Sequence, residues 1–196
     1  MHSESKNKLI KLSKVISNIF NPTFSIITYY IYLCLVKFNI KETIEILTPL
    51  LLLTIFPIMI WIGYNVKKGK YTNMDVSDRK QRVTLYYFIF GAIGVYLLFN
   101  YFYNHVADYQ IFYLLLLLIL LFLSNFFIKS SMHTALNIYV AALFYNLNPQ
   151  MSLIWLGISF LVGITRIIIK RHTVQEVISG TFLAFVVSIL YLYTSN

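Results

Sequence analysis

Leu114-Leu-Leu-Leu-Leu-Ile-Leu-Leu-Phe-Leu123 contains no polar residue. A membrane β-strand alternates apolar and polar side chains, and this run does not. It reads as part of an α-helix immersed in hydrocarbon. On either side of it lie further apolar runs of ~17–22 residues, enough for helices to cross the roughly 30 Å apolar core of a bilayer. Composition agrees: of 196 residues, 59% are hydrophobic and only 12% charged, about half the charge of a soluble domain. The expected fold is all-α, a polytopic membrane helical bundle of six to seven transmembrane helices.

Seven candidate spans lie at roughly 20–37, 46–64, 84–104, 110–128, 134–148, 151–169 and 174–193. The fifth is short. Pro49 and Pro57 should kink the second, and Asn148-Pro149 marks a tight turn between the fifth and sixth. No internal repeat is visible. Residues 1–19 carry Lys6, Lys8, Lys11 and Lys14 without the short apolar core and cleavage site of a signal peptide. Leu9, Leu12, Val15, Ile16 and Ile19 recur at helical spacing. A basic amphipathic segment on the membrane surface is expected there, followed by a transmembrane domain over 20–196. Cys34 is the single cysteine. It permits no intrachain disulfide or thiol metal site and reads as a small packed residue.

The net charge is +9. Its positives sit beside the spans, so anionic head groups and the positive-inside rule account for them, and no nucleic-acid partner is expected. With seven spans, the N-terminus and loops 65–83, 129–133 and 170–173 fall on one face. That face and its helix ends take 14 of the 16 Lys and Arg residues, leaving Lys37 and Lys41 on the other.

Three polar segments meet on that face: Asp75-Val-Ser-Asp-Arg-Lys-Gln-Arg82, Lys129-Ser-Ser-Met-His133, and Arg166-x5-His172-x3-Glu176. His2 and His105 lie outside them. Arginines make forked, charge-assisted bonds to phosphate oxygens. One histidine can attack phosphorus if a carboxylate holds its far ring nitrogen. A second can protonate the leaving oxygen. His172 and Glu176 are four residues apart, which a helix places on one face. The set suits phosphoryl transfer by positioning and charge stabilisation. The Asp75-Val-Ser-Asp78 spacing also suggests the magnesium motif of membrane prenyltransferases, but no second acidic pair lies on this face.

These residues resemble the type 2 phosphatidic acid phosphatases, or lipid phosphate phosphatases, kin to the vanadium haloperoxidases. The family pattern is Lys-x6-Arg-Pro, then Pro-Ser-Gly-His, then Ser-Arg-x5-His-x3-Asp. The third part reads Thr165-Arg166-x5-His172-x3-Glu176 and the second Ser130-Ser131-Met132-His133. The first keeps only Arg82; Asp75 occupies the lysine position, so Arg79 or Lys80 would supply that charge. The resemblance covers roughly residues 65–190. It implies His172 as the nucleophile that becomes phosphohistidine, Glu176 as its orienting carboxylate and His133 as the general acid. Arg82, Arg166 and Ser131 would hold the phosphate, with Arg79, Lys80 and Lys129 as further cations beside it. No metal or cofactor is implied. Glutamate for aspartate, methionine for glycine and two missing prolines depart from the pattern. An extra hairpin over 84–128 separates the first motif from the second.

Local readings stand beside this one. Thr173-Val-Gln-Glu176 is also a capping box, and Lys170 and Arg171 read as snorkelling anchors. An arginine about one turn inside a span, as Arg166 is, costs a few kcal/mol unless paired or snorkelling. Lys67, Lys68 and Lys70 read as topology signals.

The expected function is an integral membrane lipid phosphatase acting on a phosphomonoester or pyrophosphate, in a bacterial cell membrane. Its partners would be the phosphorylated lipid and the bilayer. A phosphotransferase of the same fold and a non-catalytic lipid-binding relative are the alternatives. The positive-inside rule favours a cytoplasmic pocket; the family resemblance implies the opposite side.

Overall fold

In a computed structural model, residues 2–195 are described, with side chains from Ser5 onward, and these residues form α-helices with no strand. In chain order the helices are α1 (His2–Ile19), α2 (Pro22–Lys37), α3 (Ile40–Leu50), α4 (Phe56–Lys67), α5 (Arg79–Phe102), α6 (Tyr109–Ser124), α7 (Met132–Tyr145), α8 (Pro149–Ile168) and α9 (Val174–Ser195). A π-helical turn, Leu51–Ile55, joins α3 to α4. The chain divides into two compact units. The first comprises residues up to Tyr29 together with those from Leu123 onward; the second is Tyr30–Phe122.

The first unit is built around α7. Every residue from His133 to Phe144 is buried. A helix apolar all round belongs inside a protein, and Ala135, Ala141 and Ala142 let neighbours approach closely. Helices α8 and α9 both pack along α7. Their other faces carry Leu153, Phe160, Phe182 and Ile189, each more than 60% exposed, as helices bordered by lipid require. Asn148 ends the turn after α7: its side chain accepts the N–H groups of Gln150 and Met151 and Pro149 occupies the first turn of α8, a favoured helix start.

Helix α1 packs against α8 through a narrow polar stripe. Ser13 and Ser17 are buried, while Leu9, Leu12, Val15 and Ile19 face outward. The outward set contains four of the five apolar residues whose spacing predicts a membrane-facing stripe. Where α1 meets α2 the path bends by 47°; Pro22 cannot donate into the helix before it, and Asn21 Oδ1 caps the new one through Thr23 N–H at 3.0 Å.

In the second unit, α3, the π turn and α4 form one 28-residue apolar stretch, Ile40–Lys67. The π turn lies between Pro49 and Pro57, where each missing N–H breaks the regular ladder. Thr54 Oγ1 donates to the Leu50 carbonyl there. Asp78 caps α5 by accepting the N–H groups of Lys80 and Gln81, and Asp108 Oδ1 caps α6 through Ile111 N–H at 3.0 Å.

Six to seven spans are predicted from the sequence. Four helical stretches are long and apolar enough to cross a membrane: Ile40–Lys67, Arg79–Phe102, Pro149–Ile168 and Val174–Ser195; the bent pair α1–α2 would make a fifth. Helix α6 is apolar but has 16 residues, and α7 has 14. At 1.5 Å per residue these reach only about 24 Å and 21 Å, short of the hydrocarbon core.

Candidate active site

Segment three owes its shape to the way α8 ends. Arg171 N–H donates to the Arg166 carbonyl at 3.0 Å and Lys170 N–H to that of Ile167 at 3.0 Å. This is a Schellman ending, with Lys170 in the left-handed position at φ 56° where glycine is usual. His172 N–H also donates to the Arg166 carbonyl, at 3.2 Å, so the reversal returns the histidine to the arginine. Arg166 is fully buried, and its Nη1 donates to Ser17 Oγ of α1 at 3.0 Å.

Glu176 serves two structures with one oxygen. Its Oε2 accepts Thr173 N–H at 3.0 Å, while Glu176 N–H donates to Thr173 Oγ1 at 3.2 Å, which completes a capping box for α9. The same Oε2 lies 2.9 Å from His172 Nδ1. The cap and the orienting contact therefore coexist. A carboxylate at Nδ1 holds the ring proton there and places the lone pair on Nε2. The His172 side chain is wholly buried and that of Glu176 is 19% exposed.

Segment two joins segment three through backbone. Ser131 N–H donates to the Glu176 carbonyl at 2.9 Å. Ser131 is fully buried and caps α7, its Oγ accepting Thr134 N–H. Gly180 makes the approach possible, since a Cβ there would sit 2.7 Å from the Ser131 oxygen and 3.0 Å from its nitrogen. Ser130 Oγ bonds Ser179 Oγ at 2.7 Å. Lys129 Nζ donates to the Arg171 carbonyl at 3.1 Å and lies 3.9 Å from Glu176 Oε2. His133 is buried in the first turn of α7, and its carbonyl accepts Asn137 Nδ2 at 2.8 Å.

Segment one belongs to the second unit. Arg82 is buried there and its Nε donates to the Val76 carbonyl at 3.1 Å; Val76 adopts φ 45°. Arg79 and Lys80 are exposed. Asp78 acts as the cap of α5, which gives that carboxylate a structural use. Among the described residues, no three His, Cys, Asp or Glu side chains gather as a metal-ligand set.

Several contributors escape a sequence reading. Ser17 contacts Arg166 across 149 positions. Asn137 accepts Ser25 Oγ at 2.8 Å and donates to the Phe20 carbonyl at 3.0 Å, tying α7 to the bend between α1 and α2. Its only sequence signal is its place one turn after His133. Gly180 gives none, because its neighbour is 49 residues away.

The structure defines an all-helical protein whose long apolar helices make it an integral membrane protein, with a carboxylate-held histidine beside a buried arginine. Residues 122–196 match the model of the PAP2 superfamily, the superfamily of the type 2 phosphatidic acid phosphatases that the motifs resemble. The C-terminal part of the chain is thus similar to PAP2 proteins, and that likeness suggests a phosphatase-type function. The matched stretch contains segments two and three and coincides almost residue for residue with the C-terminal portion of the first unit. Comparison with curated proteins and with solved structures gave no match.

Proposed function

We propose that this protein is a metal-independent membrane lipid phosphatase working through a phosphohistidine. The single observation that carries the reading is the 2.9 Å contact between His172 Nδ1 and Glu176 Oε2. With Nδ1 so engaged, Nε2 attacks phosphorus and the bond from phosphorus to the lipid oxygen breaks. His133 donates its proton to the leaving alkoxide, then takes one from the water that attacks the phosphohistidine, and inorganic phosphate leaves. Arg166 and the Ser131 region stabilise the equatorial charge, while Lys129 steadies Glu176. Arg82, Arg79 and Lys80 are candidates for further phosphate contacts. Residues 1–19 lie along the membrane surface, α6 and α7 complete a six- or seven-helix topology over 20–196, and the enzyme works in a bacterial cell membrane.

Detergent-purified protein should release phosphate from phosphatidate, phosphatidylglycerophosphate or an isoprenyl pyrophosphate, and a chelator should leave the rate intact. His172→Ala should abolish release and the acid-labile label that trapping with a radiolabelled donor gives. Full activity in that variant would remove the nucleophile assignment. Activity lost with chelator would point to metal chemistry instead.

A further inference from the structure

Helices α8 and α9 each lie on α7 but touch one another sparingly. Between them runs a groove of about 380 Å³ whose floor is Thr134 and Ile138 of α7. Its α8 wall extends from Leu156 to Ile167 and its α9 wall from Val177 to Phe185. At 1.5 Å per residue these walls are about 16 Å and 12 Å long. One leaflet of hydrocarbon is about 15 Å deep, half of a roughly 30 Å core. The groove therefore has the length of one extended acyl or prenyl chain.

One end of it abuts the phosphate chemistry. Ile167 follows Arg166, and Val177 follows Glu176. Thr134 Oγ1 bonds Ser131 Oγ at 3.0 Å. The channel narrows there, because a Cβ on Gly163 would lie 3.2 Å from Val177 and 3.6 Å from Thr134. Away from that end it is apolar and open: Phe160 is 71% exposed and Phe185 46%, and the hydroxyl of Ser159 is already donated to the Trp155 carbonyl at 2.8 Å. A phosphate at the narrow end and a hydrocarbon tail along the rest match the two chemistries.

Resting on the function proposed above, we infer that the α7–α8–α9 groove holds a single hydrocarbon chain of the substrate and sets its preferred length. Only a chain attached to the reacting phosphate couples occupancy of the groove to turnover; a bulk lipid chain would fill the same space without affecting specificity.

The test uses the full-length protein in detergent with n-alkyl monophosphates from butyl to octadecyl, each below its micellar concentration. For the wild type, kcat/KM should climb by roughly fourfold per methylene and then level off when the groove is full. Leu156→Trp, at the far end, should bring the plateau to a shorter chain. Thr181→Phe, nearer the phosphate, should bring it shorter still. Turnover of butyl phosphate by each variant shows that it is folded with its chemistry in place. An alkyl phosphate with a terminal diazirine should label residues near Leu156 or Phe185, a readout that needs no variant to fold. Butyl phosphate turnover with unchanged chain-length profiles, or label placed elsewhere, overturns the groove assignment and leaves the phosphatase reading standing. A wild type that releases phosphate from none of these lipids removes both.

Discussion

The amide of Ser131 and the carbonyl of Glu176 are hydrogen bonded at 2.9 Å, so the start of α7 is locked to the first turn of α9. The residue before His133 by two positions thereby grips the residue that orients His172. Two segments that lie over 40 positions apart are thus joined backbone to backbone, and small errors in that joint should be felt by the chemistry.

Gly180→Ala tests this directly. The added methyl would meet backbone atoms of Ser131 at 2.7–3.3 Å, and backbone cannot rotate away. Overpacking of this kind costs about 1–3 kcal/mol, and a displacement on the scale of 1 Å costs on the order of 10²-fold in rate. Thermal unfolding and phosphate release should both fall. A variant with the wild-type midpoint and rate would show that the close approach is dispensable.

The two duties of Glu176 are separable. Thr173→Ala removes the capping hydroxyl and leaves the His172 contact, so it should lower stability by about 1 kcal/mol with turnover nearly intact. Glu176→Gln should reduce kcat by about 10²–10⁴-fold, and Glu176→Asp should restore part of it. Equal losses from the threonine and the glutamine variants would mean that the cap alone matters.

Arg166 is buried with one nitrogen on Ser17. Lysine cannot reproduce its fork, so Arg166→Lys should lose about 10–10²-fold in kcat/KM, in line with roughly 1.5–3 kcal/mol for a charge-assisted bond. Ser17→Ala should lose no more than about tenfold, and mainly through KM. A Ser17 variant as impaired as the arginine variant would assign α1 a larger part.

Lys170 holds a left-handed backbone that suits glycine. Lys170→Gly should raise stability by about 1 kcal/mol without changing turnover, as read by denaturation in detergent alongside phosphate release. A destabilised variant would show that the lysine side chain supports the turn.

The carboxyl of Asp108, in the connection between α5 and α6, sits under Tyr96 OH at 2.7 Å. Burial lifts its pKa above the usual 3.8, and hydrogen bonds from Ile111 N–H, Tyr96 and Tyr30 oppose the shift. A raised carboxyl binds its proton more tightly in the native chain than in the unfolded one. Stability should therefore fall as pH rises from near 3.8 to the folded value, and the loss is complete above it. Asp108→Asn should lack this decline, so its melting advantage over wild type should grow across that window. Parallel melting curves would refute the assignment.

The all-α class, the apolar helices and the third motif were all legible in the sequence, because each rests on patterns within one helix or one turn. Arg166, His172 and Glu176 are within 11 positions, where the end of one helix and the cap of the next fix their geometry. The span count was less legible: hydropathy registers α6 and α7 as apolar, yet α7 is apolar because it is buried in protein, which a hydropathy window cannot separate from burial in lipid. Tertiary structure alone decided the rest. Only chain packing brings Ser17 to Arg166, or Gly180 under Ser131, since contacts between distant segments depend on how helices pack and leave no periodic trace in either segment. The same packing stands Lys129, from another segment, beside the locally held oxygen of Glu176.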